Sequence, residues 1–206
     1  MAYKIAIIVG SLRKDSINRK VARSICAFAG DILDCEIVEI GDLPLYNQDI
    51  DTDHPPEAWT RFRQKVGAAD GVLFVSPEYN RGIPGVLKNA IDVGSRPYGQ
   101  SVFDKKPGAI VSASPGSIGG FGANHQIRQA SVFLNMPIML QPEAYFGHVT
   151  DDSFDESGCL KDGALKDLIM VIAASFANWV EAILESRRLL AEDAAHAAQE
   201  KAKEPA

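Results

Sequence analysis

The 206-residue chain is short of cysteine and of basic charge, and it lacks the common signatures of nucleotide and metal binding. Its three cysteines, Cys26, Cys35 and Cys159, are odd in number and widely spaced. Without a C-x-x-C pair neither a zinc site nor a dithiol redox motif is supported, and free thiols in a reducing cytoplasm are expected. The four histidines, His54, His125, His148 and His196, show no ligand spacing, so no metal is expected. A formal net charge of −6 argues against general nucleic-acid binding, which needs a basic face. No apolar stretch approaches the roughly 20 residues that span a bilayer, and no membrane partner is expected. Met1 to Lys4 leads at once into a strand-like run, which leaves no room for a signal peptide.

What is present is an alternation. Hydrophobic residues make up 46% and charged residues 23%, ordinary values for one soluble domain of this length. Five β-like runs, near residues 3–9, 35–40, 71–76, 108–113 and 137–140, alternate with helical patterns near 18–28, 57–67, 86–93, 123–134 and 164–190. The first run is apolar almost throughout, as a central parallel strand covered on both faces should be. Strands alternating with helices predict an α/β three-layer sandwich, a five-stranded parallel sheet with helices on both faces. Right-handed crossovers leave few topologies and favour the flavodoxin-like order 2-1-3-4-5. The domain is expected to fill residues 1–190. Residues 191–206, rich in alanine and charge and without large apolar side chains, read as a frayed helix or a disordered tail.

In such a sheet ligands bind beyond the carboxyl ends of the strands, at the switch point between strands one and three. Three unusual loops fall on that edge. The first, Gly10 to Asn18 (G-S-L-R-K-D-S-I-N), joins a buried strand to a helix start, where unpaired N–H groups and the helix dipole favour an anion. Ser11, Arg13, Ser16 and Asn18 add side-chain donors for a phosphate. Taken alone, an ordinary turn with Ser16 as N-cap is an equal reading. No Walker loop and no G-x-G-x-x-G follows the first strand, so one phosphate suits the loop better than a pyrophosphate. The second, Pro77 to Gly85 (P-E-Y-N-R-G-I-P-G), combines an aromatic, a carboxamide and exposed amides, which suits the polar edge of a flat heteroaromatic ring. The third, Ser114 to Gly120 (S-P-G-S-I-G-G), lets backbone approach a ligand closely, although a flexible surface loop is the simpler account of it alone.

These three motifs, with the downstream P-G-V-L-K-N-A-I-D, resemble the NADPH-dependent FMN reductase family, which includes quinone, chromate and azo-compound reductases. The similarity covers about residues 3–186. The resemblance implies a flavodoxin-like fold, non-covalent FMN and NADPH or NADH as reductant. It implies that Ser11, Arg13, Ser16 and Asn18 hold the phosphate. Pro77, Glu78, Tyr79, Asn80 and Arg81 would line the ribityl chain and ring, largely through backbone groups, and Ser114 with Gly116 would close the far side. Hydride would pass to the flavin and electrons on to a quinone, chromate, azo or flavin acceptor by a ping-pong route, with no catalytic side chain. Two departures bear on acceptor access: Arg81 stands where relatives often carry an aromatic, and Pro115 stiffens the third loop. The family commonly forms dimers or tetramers, and Arg128 and Glu143 match positions of subunit contacts in some members. A flavodoxin-like electron carrier and a flavin-sensing module are the competing functions. Asn89 is read as fixing loop geometry at least as readily as touching ligand, and Phe103 as packing.

Overall fold

The computed structural model describes residues 2–201. The elements run β1 (Tyr3–Val9), α1 (Ile17–Phe28), β2 (Leu33–Val38), α2 (Glu57–Ala68), β3 (Gly71–Ser76), α3 (Gly85–Gly94), β4 (Gly108–Ala113), α4 (Phe121–Phe133), β5 (Ala144–Phe146) and α5 (Ala164–Lys201). All strand pairs are parallel, in the order β2-β1-β3-β4-β5, so the flavodoxin-like sheet expected from the alternation is the one observed.

The period-2 alternation of each strand divides the core. Ile5, Ile7 and Val9 of β1, Leu73 and Val75 of β3, and Ala109, Val111 and Ala113 of β4 meet α1 and α5 on one face. Ala6, Ile8, Val72, Phe74 and Ile110 point the other way, against Trp59 and Phe62 of α2, Leu87 and Val93 of α3, and Ile127 of α4. Both faces are apolar because both are covered. Burying a side chain such as Phe74 or Ile8, each fully enclosed, contributes about 1.5–3 kcal/mol. Phe103, fully buried against Phe74, is a packing residue. Cys26 of α1 and Cys35 of β2 are free, half-buried thiols.

Three features differ from the sequence expectation. The apolar run at 137–140 is not the fifth strand. It makes a single parallel bridge from Ile138 to Gly108, and the edge strand is Ala144–Phe146, in register with Val111 to Ala113. The last helix passes residue 190 and continues to Lys201, because alanine, glutamate and lysine sustain a helix without packing. Residues 191–199 of the proposed tail are exposed helix, and 202–206 lie outside the described residues. Lastly, α5 is long and apolar enough by composition to cross a bilayer. Here its apolar stripe, Ile169, Ile172, Phe176 and Val180, is buried on the sheet, which accounts for that composition.

Candidate functional site

The three loops converge. Ser11, Arg13, Ser16, Ile17 and Asn18 from the first, Pro77, Glu78 and Tyr79 from the second, and Ala113, Ser114 and Pro115 from the third line one cavity of about 130 Å³ at the carboxyl edge. A wider cleft, about 310 Å³, runs along Lys4, Asp34, Glu36 and Lys65 at the amino ends of β1 and β2. Ligands of open parallel sheets bind at the opposite, carboxyl edge, and two of the charges here, Lys65 and Glu36, already pair.

The first loop leaves its donors available. β1 ends at Gly10, whose N–H donates to the Val75 carbonyl (2.9 Å) and where a Cβ would sit 2.8 Å from Ser76 Oγ. Only glycine lets the chain cross β3 that closely. Ser16 is the N-cap of α1, extended at φ −78°, and its Oγ accepts from the Arg19 N–H at 3.2 Å. The N–H groups of Ile17 and Asn18 in the first turn have no partner inside the helix. Asn18 is buried, and its Nδ2 donates to the Ala113 carbonyl at 3.0 Å, tying the first loop to the end of β4. Its Oδ1 is the one buried side-chain polar atom without a hydrogen bond among the described residues. Arg13 is exposed and, among the described residues, forms no ion pair; Asp151 feels its charge at longer range. The mouth of α1 is fastened from outside by Arg19, bidentate to Glu39 at 2.7 Å, and by Lys20 to Asp151 at 2.7 Å.

The second loop is bound to the protein. Tyr79 and Gly82 exchange two backbone hydrogen bonds (3.1 and 2.9 Å), with Asn80 at φ 51° and Arg81 at φ 63°, a tight turn with both central residues left-handed. Such φ values are costly for side-chain-bearing residues and need support. Support comes from α4. Its N-cap, Gly120, has no side chain, and the Glu78 carboxylate takes that role from a distance, accepting from the Ala123 N–H at 3.1 Å. The other Glu78 oxygen meets Arg81 Nη1 at 3.2 Å. Gln126 accepts from the Ile83 N–H at 3.0 Å and reaches the Arg81 carbonyl at 3.4 Å. Asn80 and Arg81 are exposed, and among the described residues their N–H groups have no acceptor.

The third loop is exposed from Pro115 to Ile118 and is tied to the protein by backbone hydrogen bonds at its ends. Ser114 and Val149 pair with Phe146 and Ser114 (3.0 and 3.1 Å), and Ser114 Oγ donates to the Gly116 carbonyl at 3.0 Å. At Gly119, φ 65°, a Cβ would lie 2.6 Å from the Tyr145 backbone.

The residues expected from the sequence therefore separate. Ser11, Arg13, Ser16, Asn18, Pro77, Glu78, Tyr79 and Ser114 line the cavity, whereas Asn80, Arg81 and Gly116 do not. Glu78, though lining it, spends its carboxylate on α4. Gln126 has no motif to flag it; the only sequence signal is a helix opening on Gly-Gly, which has no cap of its own. Asn89 anchors a neighbouring segment, accepting from Tyr46 N–H (2.8 Å) and donating to the Leu43 and Pro44 carbonyls. Beyond the third loop Phe121, His125 and Tyr145 form a ring cluster, with His125 4.1 Å from Phe121. Burial, then the Glu143 carboxylate, pushes the Tyr145 hydroxyl up to about 12.

Residues 3–151 match the family described as NADPH-dependent FMN reductase. A quinone reductase of Pseudomonas putida is 57% identical over 179 residues, 87% of this chain and 95% of the relative. A 2-hydroxy-1,4-benzoquinone reductase of a Burkholderia species is 43% identical over 180 residues, 87% of this chain and 97% of the relative. Among solved structures, the flavoenzyme NAD(P)H:(acceptor) oxidoreductase FerB of Paracoccus denitrificans superposes with a TM-score of 0.83 at 35% identity, over 88% of this chain and 98% of that one. Three loops on one sheet edge, a matching family over most of the domain and relatives covered over nearly their whole length agree: the chain belongs to the NADPH-dependent FMN reductase family.

Proposed function

We propose that this chain holds FMN across the carboxyl edge of the sheet and uses NAD(P)H to reduce quinones. The convergence of the three loops on one cavity, at the N-terminus of α1, is the observation that carries the proposal. The donor set fits the group. Ser11, Ser16 and the N–H groups of Ile17 and Asn18 surround a position for one phosphate, and Arg13 offsets its charge. The unpaired Asn18 Oδ1 is an acceptor, so its partner is a hydroxyl of the ligand and not a phosphate oxygen.

FMN, when bound, supplies the redox chemistry, taking hydride from the reduced nicotinamide and passing electrons to the acceptor in alternate half-reactions. The protein binds and orients. The N–H groups of Asn80 and Arg81, at the centre of the Tyr79–Gly82 turn, would serve as fixed donors to the polar edge of a ring, where they favour negative charge gathering on reduction. No side chain acts as nucleophile, acid or base. The relatives named as quinone reductases support the acceptor class; chromate and azo compounds extend it. We place the protein in the cytoplasm and as a homodimer or homotetramer, with Val132 and Phe133 at the end of α4 and Leu140, all largely exposed, as the covered surface.

The test is spectroscopic. The purified protein is expected to be yellow, to bleach anaerobically with NADPH and to recolour with a quinone. A protein with no affinity for added FMN would contradict the proposal; one that binds FMN but is not bleached would favour an electron carrier or sensor.

A further inference from the structure

The turn beside the cavity carries a cation that the flavin site, as built above, does not use. Arg81 sits two residues past the cavity-lining Tyr79, and its side chain is 73% exposed. Its backbone direction is fixed: φ is 63°, the carbonyl is reached by Gln126, and the turn is closed by the paired Tyr79 and Gly82. Its one acidic neighbour is compromised. Glu78 is only 10% exposed, shares its charge with the N-terminus of α4 and meets Arg81 through a single nitrogen at 3.2 Å. The remaining guanidinium donors therefore face solvent at the rim of the site, on a protein whose net charge is −6. A fixed, incompletely neutralised cation at the mouth of a cavity raises the local concentration of anions and orients those that match its fork.

Resting on the quinone-reductase proposal, we infer that Arg81 selects acceptors bearing a negative charge on the ring, hydroxyquinone anions, over uncharged quinones of the same size. The hydroxyquinone oxyanion would accept from the guanidinium at the rim, while the carbonyls to be reduced lie over the flavin. Two electrons from the reduced flavin and three protons convert the hydroxyquinone anion to the neutral triol. Two protons reach the carbonyl oxygens, as with an uncharged acceptor. A third from solvent neutralises the oxyanion, which loses its acidity with the conjugated carbonyl and so leaves Arg81 once reduced. The name of the Burkholderia relative's substrate is of this class.

The experiment compares 2-hydroxy-1,4-naphthoquinone with 1,4-naphthoquinone as probes of the FMN-loaded protein. For Arg81→Gln the ratio of their kcat/KM values is expected to fall about fivefold, the size an exposed charge pair allows. Arg81→Lys should restore most of it, because the point charge is kept. Titration of the oxidised holoprotein with the hydroxyquinone, without NADPH, should show the same loss of affinity. Added salt should erode the ratio in the wild type and leave it flat in Arg81→Gln. Lys166→Gln, a remote cation on α5, is the control and should leave the ratio unchanged. An unchanged ratio in Arg81→Gln, or equal losses for both quinones, would overturn the inference. So would a rise in the KM for NADPH alone, which would give the cation to the dinucleotide. Failure of the protein to bind FMN or to reduce either quinone would instead overturn the proposed function.

Discussion

The first and second loops use the same kinds of residue to opposite ends. In Gly10–Asn18 Ser16 caps α1 and Asn18 Nδ2 holds the end of β4, yet other polar groups are left for a ligand: among the described residues Arg13 has no ion pair, the first N–H groups of α1 have no partner inside the helix, and the buried Asn18 Oδ1 has no donor. In Pro77–Gly85 the polar side chains are used on the protein itself. Glu78 caps α4 and Gln126 holds the turn, so that left-handed Asn80 and Arg81 can present backbone. One loop binds and the other is built to be rigid. Residue type does not separate the two roles; the hydrogen-bond partners do.

This contrast can be broken by substitution. The largest effect is expected for Arg13→Ala, which should weaken FMN binding by about 1–3 kcal/mol, the worth of a lost charged hydrogen bond, and leave the melting temperature of the ligand-free protein unchanged. Fluorescence titration and thermal melts report the two quantities separately; a matching loss of apo stability would put Arg13 in the scaffold. Glu78→Ala should do the reverse. Loss of a helix cap costs about 0.5–2 kcal/mol, read by chemical denaturation of the apo protein. Glu78→Gln should recover part of it, since an amide oxygen still accepts. A fall in FMN affinity at constant apo stability would return Glu78 to the ligand shell.

The smallest effect is expected at the outer fastening of α1. Arg19 holds the Glu39 carboxyl below its ordinary range, chiefly through their hydrogen bond. A carboxylate depressed in the folded state contributes stability that is complete above its unfolded pKa and is lost as the pH falls through the folded value. Arg19→Ala should therefore cost about 1 kcal/mol or less near neutrality, Glu39 being exposed although Arg19 is partly covered, and variant and wild type should converge in acid. A difference that persists at low pH would mean that Arg19 acts by packing.

Much of the fold was legible because covered parallel strands leave apolar runs bounded by turns. Where the run was ambiguous the reading failed: Pro137 to Leu140 is as apolar as a strand but bridges β4 only at Ile138, while the true edge strand has three residues and no periodicity to read. The first loop was legible because a strand, a glycine, a cap and a helix lie consecutively, so local chemistry determines the site. The role of Glu78 was not, because its partner, the N–H of Ala123, is 45 positions away and unmarked by residue type. Gln126 escaped for the same reason. Exposed Arg81 lay in the motif, yet only its fixed turn and half-used neighbour gave it a direction.

The central claim is that the first loop anchors a phosphate. Parallel titrations of the apo protein with FMN and with riboflavin, which lacks only that phosphate, test it most directly. FMN is expected to bind on the order of a hundredfold or more tightly than riboflavin, as several charge-assisted hydrogen bonds require, and Arg13→Ala to narrow the gap. Equal affinities for the two flavins would contradict the claim.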